Sequence, residues 1–392
     1  MALIETADDL EALLGRLRRE PLLAVDTEAA SFHRYHDRVY LLQISSRTET
    51  AVVDPLAVGG LAPFADVLAD PAIEIIFHDA DYDLRLLDRE YALRTTNLFD
   101  TRIAAQLLNE PGVGLAALLE KYLGVRLDKR FQRADWSARP LSQGMLDYAA
   151  SDTTHLPQLR DILGRQLEER GRLSWAEEEF ELLASTRYTP PDGDEPAFLR
   201  MKGAKALRGQ ALAVLRELYE WRDGVAQRAD KATFRVLNND PILAMARTPP
   251  TDVAALKAIP GISGDQAERR GREILSAVQR GLQVPERDLP RIPRAPRRPH
   301  DPAIEARLER LKTARNRLAS ELDLAPGVLC PNGTLEAIAR ANPGGLGAMA
   351  AIAELRRWQL SAIGGELLDA LGGAGGPTSE ETPAASPSPA AT

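Results

Sequence analysis

The octapeptide LLAVDTEA, residues 22–29, opens like a buried strand and ends in acid. Its first residues are apolar and rich in strand formers, which marks Leu22–Thr27 as a strand. Residues i and i+2 of a strand share a face, so Asp26 and Glu28 aim to one side, about 6.6 Å apart along the chain. Two more acidic patches follow: Asp83 in FHDADYDLRLL (77–87) and Asp152 in MLDYAASDTTHL (145–156). The latter has helical composition, and positions i and i+4 stack on one helical face, so Tyr148 and Asp152 aim together. Converging carboxylates have few uses besides holding divalent cations.

Outward from this stretch, residues 1–188 alternate between strand and helix patterns. Thr6–Glu20 is helix-like with Thr6 as N-cap. Val39–Ser46 and Thr50–Val53 form a hairpin around the polar SRTE turn, and Leu61–Leu68 looks helical. Glu74–Phe77 is a short buried strand, Asp81–Tyr91 an amphipathic helix, and Leu98–Phe99 a last short strand. An α/β domain with a mixed sheet flanked by helices is expected. The TPPDGDEP run at 189–196 cannot continue a helix, so 189–204 reads as a linker. Residues 205–282 form an all-helical unit, and 283–302 a proline-dense basic linker. A second helical unit at 303–371 is faintly similar to the first, as a degenerate duplicate would be. The tail 372–392 is expected to be disordered.

A length of 392 residues accommodates two or three domains, and 44% hydrophobic with 27% charged residues is ordinary for a globular protein. The lone Cys330 excludes an intramolecular disulfide and a cysteine-rich zinc site, and it fits a reducing cytoplasm. The start, MALIETADDLEALL, carries acids where a signal peptide would be basic. No apolar run reaches the roughly 18 residues of a membrane span, so no membrane partner is expected. The net charge of −8 conceals a polarity: residues 201–300 hold 19 Lys+Arg against 11 Asp+Glu, leaving −16 on the rest. A basic middle suits phosphate binding.

Hydroxide attacking a phosphodiester brings two negative charges together, which two divalent ions relieve at the attacking and leaving oxygens. Hard ions such as Mg2+ take carboxylate oxygens and keep several waters, so three or four acids suffice. At these residues the sequence resembles the DEDD exonucleases of the Tyr-x-x-x-Asp subgroup and, within it, the bacterial ribonuclease D family. The resemblance rests on AVDTEA (24–29), YLLQIS (40–45), FHDADYDLRLL (77–87), FDTRIAAQLL (99–108) and ADWSARPLSQGMLDYAASDTTHL (134–156). It implies a ribonuclease H-like catalytic domain that cleaves RNA from the 3′ end and releases nucleoside 5′-monophosphates, acting on single-stranded 3′ ends such as those of tRNA precursors. It also implies two divalent cations, Mg2+ or Mn2+, held by Asp26, Glu28, Asp83 and Asp152. Asp26 would bridge both ions, Glu28 and Asp152 would complete one shell, and Asp83 would reach the second. Tyr148 would hydrogen-bond the attacking water. The 205–282 unit resembles the HRDC domain through LRELYEWRDGVAQRADKATFRVLNND and LKAIPGISGDQAERRG, and 303–371 is HRDC-like. No obligate protein partner is implied.

Each assignment has a bland competitor. Asp26 and Glu28 can also be a turn and a helix cap. In the middle motif Asp79 can cap the following helix and Asp81 sits elsewhere on it, whereas Asp83 occupies the family position. Asp147 reads as a solvated charge, and His78 and His155 as structural. Gln43 reads as a structural hydrogen-bonding group. The stretch 126–139 interleaves basic and aromatic residues, so Arg130, Arg133, Trp136 and Arg139 are candidate substrate contacts, with Trp136 reading more as core than as a contact. Ala29 and Ala134 depart from the bulky apolar residue and the Ser or Thr usual in the family, without removing a ligand. Two rivals remain: the same chemistry on DNA or very short oligonucleotides, and a non-catalytic RNA-binding protein.

Overall fold

The computed structural model describes residues 1–190, 195–293 and 301–372. Residues 191–194 of the first linker, 294–300 of the proline-dense linker and 373–392 of the expected disordered tail lie outside the described residues.

Six strands form one mixed sheet: β1 (Ala2–Ile4), β2 (Leu22–Ala29), β3 (Val39–Ser45), β4 (Thr50–Val53), β5 (Glu74–Phe77) and β6 (Leu98–Asp100), in the order β1-β4-β3-β2-β5-β6. β2, β3 and β4 run antiparallel to their neighbours in that meander, while β1 on β4, β5 on β2 and β6 on β5 are parallel. The hairpin expected around SRTE is the β3–β4 pair, with Ser45 opposite Thr50. β2 runs two residues past the expected end at Thr27, so Glu28 is a strand residue rather than part of a turn. β1 escaped the sequence reading, because three residues are too few to show a period. Leu61–Leu68 is a 3-10 turn, Ala62–Phe64, followed by a helix at Ala65–Leu68. Thr6 caps the Ala7–Leu17 helix by accepting from the Asp9 amide at 3.2 Å.

β2 lies between β3 and β5 and is buried for its first four residues. Its parallel pairing with β5 ends at Ala24–Ile76, while pairing with β3 continues to Ala29. The acidic end of the strand therefore has a neighbour on one side only, and the segment after β5 can enter beside it.

Met1–Ile103, Gly112–Arg165 and Glu179–Arg298 form one compact unit, holding the sheet and the first helical domain. That domain is built on the Gly209–Ala229 helix and the Gly264–Leu282 helix, around Leu215, Leu218, Ile242 and Ile274. Ala104–Pro111, Gln166–Glu178 and Pro299–Thr392 form a second compact unit. In it the indoles of Trp175 and Trp358 stack at 4.7 Å, and Glu178 accepts from the amides of Arg357 and Trp358 at 2.8 and 2.9 Å, capping the Arg357–Ala370 helix.

The two helical domains repeat one buried device. Arg222 donates to the carbonyl of Leu237, fifteen residues on, and to Asn239 Oδ1, seventeen on, at 3.0 and 2.7 Å. Arg315 donates to the carbonyl of Cys330 and to Asn332 Oδ1, at the same spacings of fifteen and seventeen, at 2.5 and 3.2 Å. Both arginines are buried, so these charge-assisted bonds replace lost water and fix the turn after the first long helix. Among the described residues no helix is long and apolar enough to cross a membrane.

Candidate active site

The period of β2 puts Asp26 and Glu28 on one face of the sheet. Facing them across the antiparallel pair are Gln43 and Leu41 of β3. The Gln143–Thr154 helix covers this face, started by Ser142, whose hydroxyl accepts from the Met145 amide at 3.3 Å. Thr153 pins the helix to β3 through a 2.7 Å hydrogen bond with Ser45, and the small Ala149 and Ala150 are buried beside it. Asp152 is thereby lowered onto the strand acids: one oxygen each from Asp26, Glu28 and Asp152 lies within 4.8 Å of the others.

Asp83 reaches the cluster from the Asp81–Tyr91 helix, which follows β5. It is only 7% exposed, and its Oδ1 accepts a short hydrogen bond from the hydroxyl of Thr27, the residue between the two strand acids. The start of that helix is fixed by Asp100, whose Oδ2 accepts from the Ala80 amide at 2.9 Å and whose Oδ1 accepts from Arg102 and Ile103 at 2.8 and 3.0 Å. Neither Thr27 nor Asp100 was singled out from sequence. An Asp directly before a helical stretch was the available signal for Asp100.

The electrostatics are those of a cation site. Burial raises Asp26 well above the ordinary carboxylate range, and the charges of Asp83, Asp152 and Glu28 raise it further. Glu28 is raised by burial and by Asp152 and Asp83. Burial pushes Asp83 up to about 7, against the lowering hydrogen bond from Thr27, and burial likewise pushes Asp152 up to about 7. No described cation is among the groups that perturb these acids, so the fold concentrates negative charge without compensation. Clustered oxygens, mutual repulsion and the lack of a basic partner among the described residues fit hard divalent cations.

Tyr148 stands one helical turn before Asp152, half-buried, its ring 5.9 Å from Trp136 and 6.2 Å from Phe131. Burial first, then Asp152, Glu28 and Asp26, push its phenol above the ordinary range, so the hydroxyl stays protonated. Gln43 is fully buried opposite Asp26, and neither amide atom has a partner among the described residues. The structural hydrogen bond expected for it is not made among the described residues.

Of the four candidate substrate residues, Trp136 takes the core position favoured for it over substrate contact, and Arg139 is corrected. Trp136 is 1% exposed, packed among Tyr40, Leu41, Ala149 and Ala150, and backs the Tyr148 ring instead of offering a face to a base. Arg139 is consumed by structure: Nε meets the buried Asp54 at 2.6 Å, and the two Nη atoms donate to the carbonyls of Trp136 at 2.7 Å and Tyr40 at 3.0 Å. Arg130 is exposed and paired with Asp128 at 2.6 Å, and Arg133 is exposed with its guanidinium 5.4 Å from the ring of Phe32. Asp79 does not cap the helix: it has φ 69° and pairs with Arg102 at 2.6 Å, while Ala80 holds the cap position. Asp81 pairs with Arg85 at 2.9 Å, and Asp147 accepts from Gln143 at 2.8 Å. His78 bonds Thr101 at 2.9 Å and is lowered to about 4 by burial, and His155 ends the Gln143–Thr154 helix.

A mixed sheet presenting a carboxylate cluster under a Tyr-x-x-x-Asp helix is the layout that the resemblance to the DEDD exonucleases implies, and the comparisons with known proteins place the chain in the class of 3′–5′ exonucleases. The family described as 3′-5′ exonuclease matches residues 1–168, and the HRDC domain family matches 211–278 and 304–371. Ribonuclease D of Gluconacetobacter diazotrophicus is 36% identical over 341 residues, 86% of each chain, and that of Nitrobacter hamburgensis 33% over 369 residues, 93% of each. Among solved structures, Escherichia coli RNase D, described as an exoribonuclease involved in structured RNA processing, superposes with a TM-score of 0.66 at 25% identity, covering 94% of this chain and 98% of that one. The catalytic core of RRP6 from Trypanosoma brucei gives 0.64 at 32% identity over 72% and 79%. The chain belongs to the ribonuclease D family, and it is a 3′→5′ exoribonuclease with a nucleic-acid substrate.

Proposed function

We propose that the protein removes nucleotides one at a time from single-stranded 3′ ends of structured RNAs, tRNA precursors among them, releasing nucleoside 5′-monophosphates. Asp26, Glu28, Asp152 and Asp83 would hold two divalent cations, Mg2+ or Mn2+. The observation that carries this reading is the set of three carboxylate oxygens within 4.8 Å, joined by a fourth buried acid and, among the described residues, supplied with no basic partner. When bound, the cations neutralise charge at the phosphate and lower the pKa of water beside it.

The protein's own groups do the rest. Asp26 and Glu28 are held at fixed spacing by the strand, and Thr27 orients Asp83 through its hydroxyl. Tyr148, kept protonated, orients the attacking water through its phenolic oxygen and does not serve as the base. Water oxygen bonds to the terminal phosphorus and gives up a proton to solvent, the P–O3′ bond breaks, and the leaving O3′ takes a proton from solvent, so the upstream nucleotide ends in a 3′-hydroxyl. The setting we infer is the cytoplasm, in keeping with the single cysteine, Cys330.

The test compares end-labelled RNA carrying a single-stranded 3′ extension, DNA of the same sequence, and a dinucleotide. Faster digestion of the tailed RNA supports the reading. Preference for DNA or the dinucleotide would assign the same chemistry to another substrate, and no hydrolysis of any of them would reduce the protein to a binder.

A further inference from the structure

The loop 30–38 leaves β2 two residues after Glu28 and is held from two sides. From the first helical domain, Ala232 donates its amide to the His33 carbonyl at 3.1 Å, and Arg235 Nε donates to the Phe32 carbonyl at 2.7 Å. Asp230 accepts from the amides of Tyr35 and His36 at 3.2 and 3.3 Å, and Tyr35 donates its hydroxyl to Asp223 at 2.9 Å. From the basic stretch 126–139, the Arg133 carbonyl bonds His33 at 2.9 Å.

A loop so anchored has reason to bury its largest apolar side chain, yet Phe32 is 43% exposed. Its ring meets that of Phe234, from the helical domain and 39% exposed, with centroids 4.9 Å apart and planes at 59°. The Arg133 guanidinium lies 5.4 Å from the Phe32 ring, and that of Arg235 lies 5.7 and 5.9 Å from Phe32 and Phe234. Two surface aromatics with cations over them are the composition of a single-strand binding platform: bases stack on the rings and the guanidiniums attract the phosphates. Four residues of chain reach at most about 14 Å, so Phe32 lies within a few nucleotides of Glu28.

We propose that Phe32 and Phe234, flanked by Arg133 and Arg235, form a stacking platform for the RNA nucleotides just upstream of the scissile one. The first HRDC domain then contributes directly to the substrate path beside the carboxylates. This inference rests on the exonuclease reading for which strand is bound, but its test reads binding without cleavage.

The full chain, in EDTA, is titrated into a fluorescently labelled RNA hairpin with a single-stranded 3′ tail, and anisotropy gives Kd. Phe32→Ala and Phe234→Ala should each weaken binding about 5- to 50-fold, with less effect on a blunt hairpin. Phe234→Trp should restore tail binding and Phe234→Leu should not, because stacking needs a π face. Melting temperatures separate the roles, since a clamp between domains would lose stability and would be served by leucine. Values of Kd within twofold of the parent for Phe32→Ala together with Phe234→Ala, or full rescue by leucine, would overturn the proposal. A parent chain that binds the tail through these rings yet cleaves nothing would sink only the catalytic reading.

Discussion

Thr27, which stands between the strand carboxylates Asp26 and Glu28, gives its hydroxyl hydrogen to Asp83 and so ties the first acidic patch to the second. The bond favours the ionised form of Asp83, opposing the burial that pushes this acid up to about 7. Thr27→Val keeps the shape and removes the donor, so Asp83 should rise further. We expect kcat/KM to fall roughly tenfold and the acid limb of its pH profile to move to higher pH. A profile unchanged in position would show that Asp83 does not have to be ionised.

Metal-free stability should fall as pH rises. Asp83 and Asp152 have folded pKa values near 7, raised by burial above those of unfolded carboxylates, which lie near 4. The folded chain thus binds extra protons between those values: the contribution is full below about 4 and lost as pH climbs through 7. Divalent cation, competing with those protons, should raise the melting temperature more at pH 8 than at pH 5.5. Equal shifts at both pH values would mean the cation binds elsewhere.

Asp152→Asn removes one of the repelling charges while keeping the side-chain shape. In the absence of cation at pH 8 it should stabilise the fold by about 1–2 kcal/mol, or about 2–5 °C, and it should abolish hydrolysis. Calorimetry in EDTA checks the first effect, and loss of stability there would show that the acids are not in conflict.

Tyr148→Phe keeps the ring against Trp136 and Phe131 but removes the hydroxyl. We expect kcat to drop about 10- to 100-fold with the cation concentration for half-activity unchanged. A shift in cation requirement without a drop in kcat would assign Tyr148 to ion binding.

Arg139→Ala should act on stability and not on substrate binding. It strands the carboxylate of Asp54, whose side chain is 4% exposed, and costs about 2–3 kcal/mol after allowance for the partial exposure of the arginine. Thermal melting beside KM for tailed RNA distinguishes the two roles.

Much of this was legible in the sequence, because strand and helix periods act over a few residues. Asp26 and Glu28 at i and i+2, and Tyr148 and Asp152 at i and i+4, are placed by local geometry alone. The hydrogen bond from Thr27 to Asp83 spans 56 positions and depends on where β5 stops pairing, which no local pattern reveals. Arg139 misled for a related reason, while Trp136 was only weakly a contact candidate. An aromatic and a basic residue in a loop have the same composition whether they face a base or fill a core, and the buried Asp54 that claims Arg139 is 85 positions away. The Arg–Asn device of the helical domains was readable as a seventeen-residue spacing shared by 222–239 and 315–332, but only once the duplication was taken seriously.

The most direct measurement is a time course on a 3′-extended tRNA with product identification, comparing the parent and Asp26→Asn, each with Mg2+ and with EDTA. Nucleoside 5′-monophosphates should appear only for the parent with cation. Release at the parent rate by Asp26→Asn, or release that survives EDTA, would contradict a carboxylate-held cation at the centre of the chemistry.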